Sequence, residues 1–223
     1  MSVCKPSLSE AQRLKRLDFA KTYKHWTYKD WSKVIFLDEA WITLSSNCGK
    51  KYIWRRKNEH IDKSYVSKKR FDVKFMVCGY FSTSGPGALK RIAESGSGVE
   101  KYNSKKHRET LKHHVVPFMK PDQILQQDNA PCHQGAAKTY LANKKVKTFI
   151  WPPNSPDLNP IENLWSIVKR RLEKMKSTTL EELWKNVQTV WKNLEISLLE
   201  NLVKSMSNRI KLVLKHKGNM TKY

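Results

Sequence analysis

A short apolar run that ends in two acidic residues constrains this chain more than any other feature. Residues 34–37 are all apolar and favour β-structure, and Asp38 and Glu39 follow them directly. A strand in which polar and apolar residues do not alternate is typical of a sheet that is covered on both faces. The chain must therefore supply further layers on both sides of this strand.

The order of the other predicted elements indicates what those layers are. Hydrophobic spacing predicts a helix that ends near residue 23, then mainly strands from 34 to 93. Helices and strands alternate after that, and helices close the chain from residue 161 onward. This order predicts an α/β fold with a mixed sheet flanked by helices, a basic N-terminal helix and a helical C-terminus.

The charge of the chain favours a polyanionic partner. Its 223 residues include 43 Lys and Arg against 20 Asp and Glu, which gives a formal net charge of +23 at pH 7. Such an excess says little about fold, but it favours nucleic acid as the partner. An acidic membrane surface is the weaker alternative.

Apolar runs and cysteines exclude other classes of protein. The longest apolar runs are a few residues long, too short to span a bilayer. The first 17 residues show no secretory signal pattern. The four cysteines form no CxxC pair, so we expect reduced thiols inside the cell, and a Cys/His zinc site would need distant residues to meet. They are Cys4, Cys48, Cys78 and Cys132.

Three acidic residues occupy positions where a sheet edge and a helix N-terminus would bring side chains together. Asp38 follows the strand at 34–37, and Asp128 follows a short predicted strand at 123–127. Glu162 lies in the first turn of an amphipathic helix. The ends of strands on one sheet edge, with a helix N-terminus beside them, are natural places for functional groups to converge.

Each of these acids also has a structural interpretation. Asp38 fits an ordinary turn, and its neighbour Glu39 is a rival for any chemical role. Asp128 fits an Asx-turn. Glu162 fits the third position of a capping box opened by Asn159.

Carboxylates that converge favour a metal site. Close carboxylates raise one another's pKa unless a cation compensates their charge. Magnesium or manganese accepts oxygen ligands and leaves positions open for phosphate and water. Two such ions, about 3.5–4 Å apart, can activate a nucleophile and stabilise the leaving oxygen of a phosphodiester. Acidic ligands inside a basic chain therefore predict chemistry on a phosphate backbone.

The three acids lie in segments that resemble the signature blocks of the mariner-superfamily DNA transposases. These segments are 34–39 (VIFLDE), 127–133 (QDNAPCH) and 155–165 (SPDLNPIENLW), and the last is the most specific. The resemblance extends over nearly the whole chain. It implies an RNase H-like fold and a DDE triad in which Asp38, Asp128 and Glu162 are catalytic and bind two Mg²⁺ or Mn²⁺ ions.

The same resemblance implies cut-and-paste transposition in the nucleus. In that family water cleaves DNA at the transposon ends, and the freed 3′-hydroxyl then attacks target DNA, usually at the sequence TA. The active assembly is a homodimer that pairs two transposon ends. The family's N-terminal helix-turn-helix half has no counterpart in this sequence. In addition, 33 residues lie between Asp128 and Glu162, one fewer than the family usually has.

Two other functions stay open at this point. One is a domesticated or truncated transposase-derived protein that binds DNA without transposition activity. The other is an RNase H-like nuclease that acts on RNA–DNA hybrids, which the block at 155–165 disfavours.

The resemblance also suggests a division of the chain into three parts. Residues 1–32 form a basic helical linker region, and residues 33–195 form the RNase H-like DDE catalytic domain. Residues 196–223 form a basic helical C-terminal tail.

Basic residues outside the triad are candidates for DNA contact. The segment at 50–57 interleaves aromatic and cationic residues, which suits phosphate contact and base stacking, although a solvated hairpin explains it equally well. His133 either contacts DNA or supports the site, and Trp165 is predicted to lie in the core. The DNA-binding candidates are Lys51, Trp54, Arg55, Arg56, Lys68, Lys69, Arg70, His133, Lys169 and Arg170.

The charge excess predicts DNA binding that weakens steeply with salt. Each neutralised phosphate of duplex DNA contributes about −0.9 to the slope of log K against log salt concentration. Fluorescence anisotropy of a labelled duplex over a series of salt concentrations measures this slope. An affinity that does not change with salt would contradict the electrostatic interpretation.

Overall fold

A computed structural model describes residues 8–44, 73–94 and 101–223. Its strands are β1 (Val34–Thr43), β2 (Lys74–Ser82), β3 (Gly85–Glu94), β4 (Ile124–Gln126) and β5 (Lys147–Thr148). Its helices are α1 (Glu10–Tyr23), α2 (Tyr28–Trp31), α3 (Ser104–Thr110), α4 (Ala136–Asn143), α5 (Pro160–Leu172), α6 (Leu180–Lys192) and α7 (Ile196–Lys215). Within these ranges, no helix combines the length and the apolar character that crossing a bilayer requires.

The five strands form one mixed sheet in the order β3-β2-β1-β4-β5. Strand β1 is antiparallel to β2, which is antiparallel to β3, whereas β4 pairs parallel with both β1 and β5. The predicted mixed α/β sheet with flanking helices is therefore confirmed.

Strand β1 is longer than the sequence predicts, and this changes the position of Asp38. Pairing with β2 continues through the two acidic residues, so Asp38 lies opposite Gly79 in the middle of the strand instead of at its end. On the other edge, β4 pairs with β1 only from Val34 to Phe36. Asp38 therefore lies just beyond the last parallel pair, where the space beside β1 is open for a site.

Both faces of the sheet are covered, as the apolar run predicts. On one face Phe36 and Ile42 belong to a core that also includes residues of α1, α5, α6 and α7. On the other face Ile35 and Leu37 pack with Leu111, which directly follows α3, and with residues of α4. Successive residues of a strand point to opposite faces, so β1 contributes to both cores.

The terminal helices belong to the same folded unit as the sheet. Phe19 of α1 and Val203 of α7 are buried in the core that covers one face of β1. The boundaries proposed at 32/33 and 195/196 stay predictions.

A buried ion pair fixes the segment that leads into α5. The two terminal nitrogens of Arg16 in α1 donate to the two carboxylate oxygens of Asp157, each at 2.7 Å, and neither side chain is more than 1% exposed. The backbone N–H of Thr221 donates to the same carboxylate at 2.8 Å, and Arg209 of α7 donates to the Asp157 carbonyl at 2.6 Å. Burial alone would raise the pKa of Asp157, but Arg16 and Thr221 hold it below its ordinary value.

We predict that Asp157→Ala strongly destabilises the fold, because it leaves the Arg16 charge buried without a partner. Removing one member of a buried ion pair typically lowers the free energy of unfolding by about 3–5 kcal/mol. Urea denaturation of the variant and of the unaltered chain measures this difference. Since folding lowers the pKa of Asp157, this contribution is present above its ordinary pKa and declines as the pH falls below it.

The matched control is Glu10→Ala, which removes the exposed ion pair between Glu10 and Arg13. We expect a far smaller decrease in the free energy of unfolding than for Asp157→Ala, since solvent screens exposed ion pairs. Equal losses in the two variants would contradict the role given to Asp157.

Candidate active site

The three acidic residues line a single cavity of about 370 Å³. Asp38 comes from β1, Asp128 from the loop after β4, and Glu162 from the first turn of α5. The segment at 151–156 forms much of the remaining wall. Three elements that are distant in sequence thus bring their carboxylates to one cavity, although Asp38 comes from the middle of its strand and not from its end.

Local structure explains the placement of Glu162 and Asp128. Asn159 caps α5, where its side-chain oxygen accepts from the backbone N–H of Ile161 at 3.4 Å, and Glu162 lines the cavity. The loop that carries Asp128 is tied to the cavity wall because the side chain of Asn129 donates to the carbonyl of Trp151 at 2.6 Å.

The pKa values of the three acids shift in different directions. Burial alone would raise the pKa of Asp128, but His133 and the backbone N–H of Ala130 hold it below its ordinary value. Burial raises the pKa of Asp38 well above its ordinary value, and the charges of Glu162 and Glu39 add to this. Burial also raises the pKa of Glu162, although the charge of Lys169 opposes it. A divalent cation would relieve this repulsion, and a donor set made of carboxylate oxygens suits Mg²⁺ or Mn²⁺.

Trp165 has a contact that the sequence reasoning missed. Its predicted place in the core is confirmed, since it is 2% exposed and stacks on Trp191 with ring centroids 4.9 Å apart. Its indole N–H also donates to Oδ2 of Asp38 at 3.2 Å. A buried indole N–H usually finds a hydrogen-bond acceptor. The predicted burial of Trp165 therefore already indicated that its N–H would need an acceptor nearby.

Glu39 and His133 lie behind the cavity. Consecutive strand residues point to opposite faces, so Glu39 faces away from Asp38, its neighbour in β1. His133 is 1% exposed, and its ring contacts Glu39 and Asp128. This burial favours support of the site over DNA contact, the two roles that the sequence left open for His133.

A further histidine that the sequence did not single out joins this group. His107 is fully buried. One carboxylate oxygen of Glu39 and one ring nitrogen each of His107 and His133 all lie within 4.8 Å of one another. Burial and the charge of His133 lower the pKa of His107 to about 4, so this ring is neutral. Burial alone would also lower the pKa of His133, but Asp128, Cys132 and Glu39 raise it well above its ordinary value.

Two of the DNA-binding candidates besides His133 lie on α5. Lys169 and Arg170 are exposed, and Lys169 is close enough to Glu162 to act on its pKa. The other seven candidates lie outside the described residues. They are Lys51, Trp54, Arg55, Arg56, Lys68, Lys69 and Arg70.

Comparison with known proteins agrees with this geometry. Residues 33–184 match the model of a family described as DDE superfamily endonuclease. The chain is 30% identical over 226 residues to the Tcb2 transposase of Caenorhabditis briggsae, covering 98% of this chain and 81% of that protein. It is 33% identical over 228 residues to the Tc3 transposase of Caenorhabditis elegans, covering 98% of this chain and 65% of that protein.

Solved structures show the same fold. The catalytic domain of the Mos1 mariner transposase superposes with a TM-score of 0.74 at 16% identity, covering 99% of this chain and all of that one. The Mos1 transposase in a paired-end complex superposes with a TM-score of 0.82 at 19% identity, covering 99% of this chain and 66% of that one. The sheet and its helices are thus RNase H-like. The chain therefore belongs to the DDE superfamily endonucleases, as a transposase catalytic domain homologous to the Tcb2 and Tc3 transposases.

Proposed function

We propose that this chain cleaves and joins DNA phosphodiesters with two divalent ions held by Asp38, Asp128 and Glu162. The convergence of these three carboxylates on one cavity, inside a chain of net charge +23, carries the proposal. When bound, Mg²⁺ or Mn²⁺ would supply Lewis-acid polarisation of the phosphate and a more acidic water.

The residues of the chain have separate tasks in this proposal. Asp38, Asp128 and Glu162 hold the ions, and Trp165 orients Asp38 through its indole N–H. Lys169 and Arg170, exposed on the helix that carries Glu162, attract the phosphate backbone. Acidic residues and DNA can share one site in this proposal. The metal ions would compensate the charge of the carboxylates, and the basic residues would hold the DNA backbone.

We extend the proposal to partners by analogy with the structural relatives. The solved structures of Mos1 include a complex with a transposon end and a strand-transfer complex. For this chain we propose binding to transposon ends and to target DNA, a homodimer as the active assembly, and action in the nucleus. We also keep the division into a linker region at 1–32, a catalytic domain at 33–195 and a tail at 196–223.

The matches support transposase function over the alternative of a DNA-binding derivative without transposition activity. The Tcb2 and Tc3 relatives are transposases, and the matching family is described as one of endonucleases. Retention of three acids around one cavity agrees with this, because a protein that only binds DNA gains nothing from clustered negative charge near its ligand.

We predict that the purified chain cleaves duplex DNA when Mg²⁺ or Mn²⁺ is supplied. Asp38→Ala, Asp128→Ala and Glu162→Ala should each abolish cleavage, since each removes a metal ligand, while DNA binding persists. Gel assays of cleavage and anisotropy measurements of binding check the two parts. Addition of EDTA should stop the reaction, and excess Mn²⁺ should restore it.

Glu173→Ala is the matched control, because this acid is exposed near the end of α5 and does not line the cavity. It should cleave as the unaltered chain does. Binding without cleavage in either metal would support the DNA-binding alternative. Full activity in the three alanine variants would show that the site is elsewhere.

We predict that Trp165→Phe slows cleavage while the protein stays folded, since it keeps a ring but removes the donor to Asp38. Loss of a group that orients a metal ligand typically costs roughly 10–100-fold in activity or metal affinity. Single-turnover cleavage rates measure the effect.

Trp191→Phe provides the comparison, because the indole of Trp191 donates instead to the carbonyl of Gly87 at 2.8 Å. Trp191→Phe should therefore slow cleavage much less than Trp165→Phe does. Equal rates for Trp165→Phe and the unaltered chain would refute the role of this hydrogen bond.

A further inference from the structure

We propose that Glu39 is a positioning residue that acts through the buried ring of His133 to hold Asp128, without itself binding a metal ion. This inference rests on the proposed function, because it assumes that the Asp128 carboxylate is a metal ligand. It assigns distinct roles to two adjacent acids of β1: Asp38 faces the cavity, and Glu39 supports the site from behind.

The contacts of His133 form a continuous path from Glu39 to Asp128. Nε2 of His133 lies 3.2 Å from Oε1 of Glu39. Nδ1 lies 3.0 Å from the main-chain oxygen of Asp128 and 2.8 Å from its Oδ1. Each nitrogen thus faces a carbonyl or carboxylate oxygen, which accepts, so both nitrogens donate. The ring is held at both ends and is shielded from water.

The carboxylate of Asp128 is oriented by this arrangement. Its Oδ1 receives the His133 contact and also a hydrogen bond from the backbone N–H of Ala130 at 2.9 Å. Because Oδ1 takes both donors, Oδ2 is the oxygen available for a cation. The side chain of Asp128 is 50% exposed, so without these donors it would be free to adopt other rotamers.

Glu39 in turn holds the ring of His133 in place. Without Glu39, Nε2 of His133 would be a buried donor with no carboxylate to accept its hydrogen bond. A buried donor left without an acceptor destabilises the fold. Glu39 is fixed by the ladder between β1 and β2, where it lies opposite Cys78. The path therefore connects the rigid centre of the sheet to the loop that carries Asp128.

The same three side chains invite a different interpretation, a zinc site made by Glu39, His107 and His133. Nδ1 of His107 is 3.4 Å from Oε1 of Glu39, a spacing that a shared ion would allow. However, this nitrogen lies closer to the hydroxyl of Tyr102, at 2.9 Å, and the other nitrogen lies 3.1 Å from Oε1 of Gln127. Hydrogen bonds thus account for all four ring nitrogens, which favours the positioning role.

The test measures Mn²⁺ affinity of the full chain directly, by electron paramagnetic resonance of free Mn²⁺ in the absence of DNA. We expect Glu39→Ala to weaken Mn²⁺ binding about 10–100-fold, the usual effect of removing a group that orients a metal ligand. Glu39→Gln should restore most of the affinity, because its amide oxygen still accepts from His133. Glu173→Ala, which removes an exposed acid, should bind Mn²⁺ as the unaltered chain does.

Three results would overturn the proposal. If Glu39→Gln loses as much affinity as Glu39→Ala, then Glu39 is itself a ligand. If Glu39→Ala lowers the melting temperature but leaves the Mn²⁺ dissociation constant unchanged, its role is structural only. Stoichiometric zinc in the purified chain that disappears in His107→Ala, measured by plasma mass spectrometry, would establish the zinc site instead.

The proposed function and this inference fail separately. An unaltered chain that binds Mn²⁺ but cleaves no DNA counts against the proposed function, while the Glu39 comparison still holds. An unaltered chain that cleaves DNA, together with a Glu39→Ala variant of normal Mn²⁺ affinity, counts against the positioning role alone.

Discussion

The buried pair of Arg16 and Asp157 is the interaction on which the position of α5 depends. It joins two residues 141 positions apart, and the carbonyl of Asp157 also accepts from Arg209 of α7. A buried charge is tolerated only with its partner in place, so the two helices and the turn before α5 hold one another in a single arrangement. Glu162 follows five residues after Asp157, and its location at the cavity is a consequence of that arrangement.

The alternation of side chains along β1 organises the rest of the site. Asp38 faces the side where Trp165 of α5 donates to it, and Glu39 faces the side where His133 and His107 are buried. One strand therefore supplies a carboxylate to the cavity and, one residue later, an acid that contacts the loop of Asp128 from behind. In the proposed function, the contacts of Trp165 and His133 each hold a carboxylate in one orientation, as metal binding would require.

Much of this was predictable from the sequence because it depends on local pattern. The unbroken apolar run at 34–37 predicted a doubly covered sheet, and both faces of β1 are buried. The length of β1 was not predictable, because the continuation through Asp38 and Glu39 comes from pairing with β2. Similarly, the stripe that placed Trp165 in the core contains no information about the acceptor of its indole N–H.

The sequence by itself determined the fold class, the basic character of the chain and the three segments that carry Asp38, Asp128 and Glu162. These follow from periodicity, charge and motif, which are properties of neighbouring residues. Only the tertiary structure decided that Asp38 and Glu39 serve opposite faces, that His133 is buried between Glu39 and Asp128, and that His107 joins them. Such contacts join residues many positions apart, and their geometry exists only once the sheet has paired and the helices have packed on it.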